Sequence, residues 1–183
     1  MNHPVSPHPK DHSIDPFGEF ALNVPDHLFY LLFQTARRRD LRWESTLATI
    51  GMTLAWWRTM AIIRRVGRCS MKELARFSTV DRTTLTRSID QLVSEGLIDR
   101  HIPPDDRRKV LLTLTPAGEA LYGRAVAMLL NYNLEAVQGV PEDEQRRLAR
   151  SLETILRNLI GDPEEVNAIL SFARNRPQPS PLR

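Results

Sequence analysis

Leu85, Ile89 and Leu92 recur at the i, i+4, i+7 spacing of one buried helical stripe, and Asp81 stands just ahead of them, placed to cap that helix. Upstream, Ser70 with Glu73 three residues on has the spacing of a capping box. With Leu74 and Phe77 as its apolar side, it predicts a short helix from near Met71 to near Phe77. Beyond Gly96, a residue that tolerates the left-handed cap, the period changes. Leu97 to Ile102 reads as a strand, Pro103 to Arg108 as a turn, and Lys109 to Leu114 as the return strand, with Val110, Leu112 and Leu114 alternating with Leu111 and Thr113. Thr115 and Pro116 are then the cap and first position of a further helix.

Helical spacing also flanks this segment. From Pro25 the chain runs Leu28-Phe29-Tyr30-Leu31-Leu32-Phe33, apolar nearly all round for two turns, so this helix has to be covered on more than one side, by a partner subunit or by burial within one subunit. Thr53 caps a helix that holds Trp56, Trp57, Met60, Ile62 and Ile63. Pro116 to about Val137 reads as a long helix with Leu121, Ala125, Met128 and Tyr132 on one side. Pro141 starts another, with Leu148, Leu152, Ile155, Leu156 and Leu159, until Gly161. Pro163 with two glutamates opens a last short helix through Val166, Ile169, Leu170 and Phe172, which halts before Pro177.

Helix, turn, helix and hairpin in this order make a winged helix, and the residues on its outer side suit DNA. At roughly 100° per residue, Thr83, Thr86, Arg87 and Asp90 face away from the Leu85 stripe, with Thr84 and Gln91 flanking. The N-terminal half of such a helix enters the major groove, where arginine reads guanine and threonine offers a hydroxyl and a methyl. Arg82, at the helix start, suits a phosphate. The hairpin tip gathers Arg107, Arg108 and Lys109, a size and charge that fit a minor groove. The helix-turn-helix pattern alone would also serve a protein-binding module; strand, turn, strand and next cap in register favour DNA.

These residues resemble the multiple-antibiotic-resistance regulator family, MarR. The resemblance is carried by Glu73-Leu74-Ala75, by the run Val80-Asp81-Arg82-Thr83-Thr84-Leu85-Thr86-Arg87, by Leu92, by Glu95-Gly96-Leu97-Ile98-Asp99-Arg100, and most specifically by Asp106-Arg107-Arg108 leading into Leu112-Thr113-Leu114-Thr115-Pro116-Ala117-Gly118. Gly51-Met52-Thr53 and Trp57-Arg58 add to it, so that it spans roughly residues 25 to 160. It implies a mainly α fold with a small β-hairpin wing, a winged helix-turn-helix with N- and C-terminal dimerisation helices. It also implies a homodimeric repressor on a pseudo-palindromic double-stranded operator, released by a small ligand or an oxidant. The wing aspartate would be Asp106, holding Arg108 for the minor groove. Departures from the family pattern are Trp56, where a smaller or polar residue is more usual, and the long terminal extensions.

On this reading residues 1–24 form a mobile arm, 25–175 the winged-helix domain and 176–183 a mobile tail. Within the domain the DNA-reading lobe covers about 53–114, and the dimerisation helices about 25–48 and 116–175. Family members commonly respond to aromatic carboxylates or their thioesters, and Trp43, Trp56, Trp57 and Met60, with Arg38 or Arg58 as carboxylate partner, would line such a pocket. Aromatics at helical spacing also serve as plain core.

Composition narrows the rest. Of the 183 residues 42% are apolar, enough for one domain with arms. The formal charge is only +3, but residues 64–109 hold eleven Lys or Arg against seven Asp or Glu, so the positive charge gathers where the reading helix and wing fall. A single cysteine forms no internal disulfide, and without a signal peptide or an 18-residue apolar run the expected location is the cytoplasm, with no membrane partner. Cys69, beside Arg68 and ahead of a helix N-terminus, is open to two readings: a thiol of lowered pKa acting as a redox switch, or a small buried filler, the favoured one. No phosphate-cradling glycine loop, His-Glu-x-x-His, Cys-x-x-Cys or nucleophile elbow occurs, so neither an enzyme nor a cofactor is expected. His3, His8 and His12 lie in a Pro-rich stretch and read as solvated imidazoles, and no structural metal is expected.

Overall fold

The computed structural model describes residues 24–78, 80–104, 106 and 109–174. The expected arm up to residue 23 with its three histidines His3, His8 and His12, the expected tail at 176–183, and the wing-tip residues Arg107 and Arg108 lie outside the described residues. The elements are α1 (Val24–Ala48), α2 (Leu54–Val66), β1 (Cys69–Ser70), α3 (Met71–Phe77), α4 (Arg82–Ser94), β2 (Ile98–His101), β3 (Leu111–Leu114), α5 (Pro116–Ala136), α6 (Glu142–Ile160) and α7 (Pro163–Arg174). The fold is thus mainly α with a small antiparallel sheet at the wing.

The chain divides into two units, residues 1–38 and 39–183. In the first, residues 24–38 are the leading turns of α1, and Phe29, Tyr30, Leu31 and Phe33 are all exposed there. The all-round apolar character of this stretch therefore leaves large hydrophobic side chains uncovered.

The second unit is built around α2 and α4. Met60 and Ile63 of α2, Leu74 of α3, Leu85, Ile89 and Leu92 of α4, Ile98 of β2 and Leu112 of β3 are buried together with Leu121, Ala125 and Leu129 of α5. The starts of α2, α3, α4 and α5 each have a side-chain cap, as the sequence leads one to expect. Thr53 accepts from the Trp56 N–H at 3.1 Å, Asp81 from Thr84 at 2.9 Å and Thr115 from Gly118 at 3.0 Å, while Ser70 and Glu73 close a full capping box. Helix α4 ends at Ser94 with Glu95 as its C-cap, and Gly96 just beyond takes the left-handed φ of 67°.

The sheet differs from expectation in two ways. It has three strands in the order β1-β3-β2, because Cys69 and Ser70 pair with Leu112 and Leu111; a two-residue strand shows no alternation and leaves no trace in the sequence pattern. The hairpin strands are also shorter than Leu97–Ile102 and Lys109–Leu114. The Leu97 N–H returns to Leu92 O at 2.9 Å, and the Lys109 N–H turns back to Asp106 O at 3.1 Å, so both residues belong to turns and not to the ladder.

The wing is bolted to α5 by backbone. The Thr115 hydroxyl donates to Gly96 O at 2.7 Å and its N–H to Leu97 O at 3.1 Å. A β-carbon at Gly118 would stand 2.1 Å from the Leu97 carbonyl oxygen, so only glycine allows α5 this close to the turn before β2. At the far end, α7 packs on α3: Phe172 stacks on Phe77 with centroids 4.4 Å apart, and Arg76 donates to Glu165 at 2.7 Å. By contrast α6 has no buried residue, and Leu148 and Leu159 on its apolar stripe are exposed.

Candidate nucleic-acid interface

Burial of Leu85, Ser88, Ile89 and Leu92 fixes the rotation of α4 about its axis, and with it the outward face. Arg82, Thr83, Thr86, Arg87, Asp90 and Gln91 are all exposed and line one shallow depression along the helix. Of the expected reading residues, Arg82, Thr83, Thr86 and Arg87 therefore share a surface. Thr84 does not: it is half-buried, with its backbone N–H given to Asp81 and its carbonyl accepting from the Ser88 hydroxyl at 2.8 Å. It faces the cap because position 84 lies one step round the wheel from Leu85.

Hydrogen bonds narrow what this face can offer. The Thr86 hydroxyl donates to the Arg82 carbonyl at 3.0 Å, which leaves an acceptor lone pair and a methyl for a base edge. Asp90 is ion-paired with Arg100 of β2, which offsets its charge and ties the wing strand to α4. From behind, the Trp56 indole N–H donates to Gln91 Oε1 at 3.1 Å. The Asp90–Arg100 pair and the Trp56–Gln91 bond were not legible in the sequence, since each joins elements that only the fold brings together. The hydroxyl and then the N–H of Thr84 hold the Asp81 carboxyl below the usual carboxylate range, and the Ser70 bonds do the same for Glu73.

On the wing, Asp106 pairs with Lys109 at 3.2 Å, and their backbones close a turn. Lys109 is exposed. Some of the basic charge in residues 64–109 is neutralised within the fold: Arg64 donates to Glu119 of α5 at 2.7 Å and Arg76 to Glu165 of α7, carboxylates that lie outside that segment. The local excess of charge facing solvent is correspondingly smaller than the sequence count.

The five expected effector residues of the second unit, Trp43, Trp56, Trp57, Arg58 and Met60, do not form one wall. Trp43 and Trp57 meet edge to face at 6.1 Å, and Trp57 stacks on Tyr122 of α5 at 5.0 Å. Arg58 pairs with Asp40 at 2.6 Å, and Arg39 lies over Trp43 at 4.5 Å. Trp56 turns the other way, to α4, and Met60 is fully buried in the core; Arg38 is an exposed residue of α1. Tyr122, Asp40 and Arg39 belong to the aromatic and charged cluster and carry no signal of it in sequence spacing. The buried Trp43 Nε1 and Asp40 Oδ1 have no hydrogen-bond partner among the described residues. Among the same residues no group of three metal-ligating side chains gathers, and no helix is long and apolar enough to cross a membrane.

Cys69 follows the favoured of its two readings, the small buried filler. It is fully buried, its S–H donates weakly to Ser70 O at 3.5 Å, and burial, followed by the negative charge of Glu73, pushes the thiol pKa up to about 12. The lowering expected from Arg68 and the helix N-terminus is outweighed because Cys69, on the edge strand β1 and paired with Leu112, is buried in the hydrophobic core and not at a solvated helix end.

The sequence model of the MarR family matches residues 52–110. A repressor of Pseudomonas putida, the HTH-type transcriptional repressor IacR, is 25% identical over 155 residues, which cover 85% of this chain and 93% of that protein. The structure of a cysteine-to-serine mutant of Escherichia coli MarR complexed with operator DNA superposes with a TM-score of 0.66 at 27% identity, over 76% of this chain and 99% of that one. Bordetella bronchiseptica BpsR, whose structure concerns regulation of its DNA binding by 6-hydroxynicotinic acid, gives a TM-score of 0.63 at 26% identity, over 70% and 98% of the two chains.

Proposed function

Because this chain belongs to the MarR family of winged-helix transcriptional regulators, we propose that it is a dimeric repressor that grips a pseudo-palindromic operator and releases it when a small aromatic acid or its thioester binds. The observation that carries this reading is the outward face of α4, where Arg82, Thr83, Thr86 and Arg87 stand exposed on a helix whose opposite face is locked in the core. Arg87 reads a base edge, Thr83 and Thr86 make shorter contacts, Thr84 supports the cap, and Arg82 and Lys109 bind phosphate. Arg107 and Arg108 enter the minor groove, with Asp106 organising the turn.

A second copy of the chain is the natural cover for the apolar side chains left exposed on α1 and, separately, on α5 and α6, among them Phe33, Leu134 and Leu159. The DNA-reading lobe is then about 53–114, and the helices at about 25–48 and 116–175 dimerise. The protein works in the cytoplasm.

The effector reading rests on Trp43, Trp57 and Arg58; Arg38 is a carboxylate partner to test separately, and Trp56 and Met60 drop to supporting positions. A buried donor without an acceptor costs about 1–3 kcal/mol, and an oxygen of the ligand would relieve the Trp43 indole. The relative regulated by 6-hydroxynicotinic acid supplies a precedent for an aromatic acid. Release follows only if the ligand prefers a dimer whose reading helices are misaligned with successive grooves.

A gel shift with DNA from upstream of the protein's own gene tests the DNA reading: a sequence-preferring complex at low salt is expected, and its absence would hand the fold to a protein-binding role. Titrating that complex with aromatic acids, while following tryptophan fluorescence, tests the effector. A panel that neither dissociates the complex nor raises the melting temperature rules the ligand out. The redox alternative has lost its main support with the burial of Cys69.

A further inference from the structure

Trp56 and Gln91 join α2 to α4 by a hydrogen bond whose direction is dictated by chemistry. An indole N–H donates and has no acceptor capacity, so at 3.1 Å it faces Oε1 of Gln91 and not Nε2. Gln91 lies on the exposed face with Arg87 and Asp90, yet its carbonyl end is turned back toward α2. The oxygen keeps a second lone pair, but with that end of the amide directed at α2 it is the NH2 group that is left to turn outward.

We propose, resting on the reading that α4 occupies a major groove, that Trp56 is a positioning residue which makes Gln91 a donor-only contact on DNA. A glutamine recognises adenine by presenting both ends of its amide to the base edge, Nε2 donating to N7 while Oε1 accepts from N6. With Oε1 directed at the α2 indole, the amide does not lay both of its ends along one base edge, and that two-point contact is not formed. Gln91 takes an acceptor instead: a phosphate oxygen, or the O6/N7 edge of guanine. Trp56 thereby excludes adenine at one base pair of each half-site without touching the DNA itself.

Selection from a random duplex pool with wild type, Trp56→Phe and Gln91→Ala tests this. Phenylalanine keeps an aromatic ring at the half-buried position and removes the donor. Trp56→Phe is expected to gain adenine at one base pair per half-site by about fivefold or more, the lower end of what a two-point contact discriminates. If the wild-type partner is guanine, Gln91→Ala abolishes a guanine preference at that pair; if it is phosphate, Gln91→Ala weakens all sequences by a common factor.

Three outcomes overturn the proposal: a Trp56→Phe profile identical to wild type, a wild-type adenine preference that Gln91→Ala removes, or a Gln91→Ala protein unchanged in both affinity and profile. Should Trp56→Phe lose its melting temperature, Gln91→Glu decides, because it retains an acceptor for the indole and carries no donor. It is expected to weaken binding at least as much as Gln91→Ala, and wild-type affinity would sink the idea. A wild-type protein that enriches no sequence at all overturns the DNA reading, and this proposal with it; enrichment with any of the three outcomes above overturns this proposal alone.

Discussion

At the scale of single residues, the outer face of α4 is graded by what each side chain has already engaged. Thr86 has given its hydroxyl proton to Arg82, and Asp90 its charge to Arg100, while Arg87 extends from an exposed position. Losing Arg87 should therefore differ in kind from losing a phosphate contact. Arg87→Ala is expected to relax base preference at one position by about 1–3 kcal/mol. Lys109→Ala should weaken all sequences alike and shallow the dependence of affinity on salt. Competition gel shifts over a salt series distinguish the two, and identical losses across all sequences for both variants would remove Arg87 from base reading. Gly118 makes a prediction about stability. Its absent β-carbon would stand 2.1 Å from a backbone oxygen that has no rotamer to escape into, so Gly118→Ala should cost about 1–3 kcal/mol as the start of α5 is pushed off the wing. Chemical denaturation that gives an unchanged midpoint would contradict the packing.

At the scale of elements, the reading head is a set of short helices whose ends are fastened by side chains. Helix α3 has only seven residues, too short to hold itself in water, and its capping box ties it to β1. Ser70→Ala should cost about 1 kcal/mol for that reason. Asp81 and Glu73 add a pH dependence. Both carboxyls are held below their ordinary pKa in the folded chain, so the stability they contribute is fully present above the ordinary carboxylate range. It is lost as pH falls through the lowered folded values. The difference in melting temperature between wild type and Asp81→Ala should be largest near neutrality and close as pH drops below that range. A difference that stays constant down to strongly acidic pH would show that Asp81 caps α4 without its charge. Helix starts were legible because a cap is a local event, written in two residues three or four apart. Strand β1 was not, since a two-residue strand exists only through its partner, Leu112.

At the scale of the whole molecule, the uncovered apolar surface decides the expected assembly. Phe29 and Phe33 on α1, Leu130 and Leu134 on α5, and Leu148 and Leu159 on α6 are large side chains that a monomer would leave in water. Sedimentation should report twice the chain mass of 21.0 kDa at micromolar concentration. Footprints should show two half-sites about 34–36 Å apart, one duplex turn, as a two-fold protein demands. A monomer on a single half-site would contradict the dimer.

The sequence by itself determined the order of the helices and of the hairpin, the caps and the rotation of the reading helix, because those follow from residues within a turn or two of one another: Asp81 with Thr84, and Leu85 with Ile89 and Leu92. Tertiary structure alone decided which polar groups on that helix remain available. Arg100 reaches Asp90 from ten residues away, Trp56 reaches Gln91 across two elements, and Glu119 and Glu165 neutralise arginines of the basic segment from helices that follow the wing. The same distinction applies to Cys69: its sequence neighbours leave a reactive thiol open beside the favoured buried filler, and burial in the core decides for the filler. Periodicity reports which face of a helix is dry; what the wet face can donate or accept depends on partners that only the folded chain brings within about 3 Å.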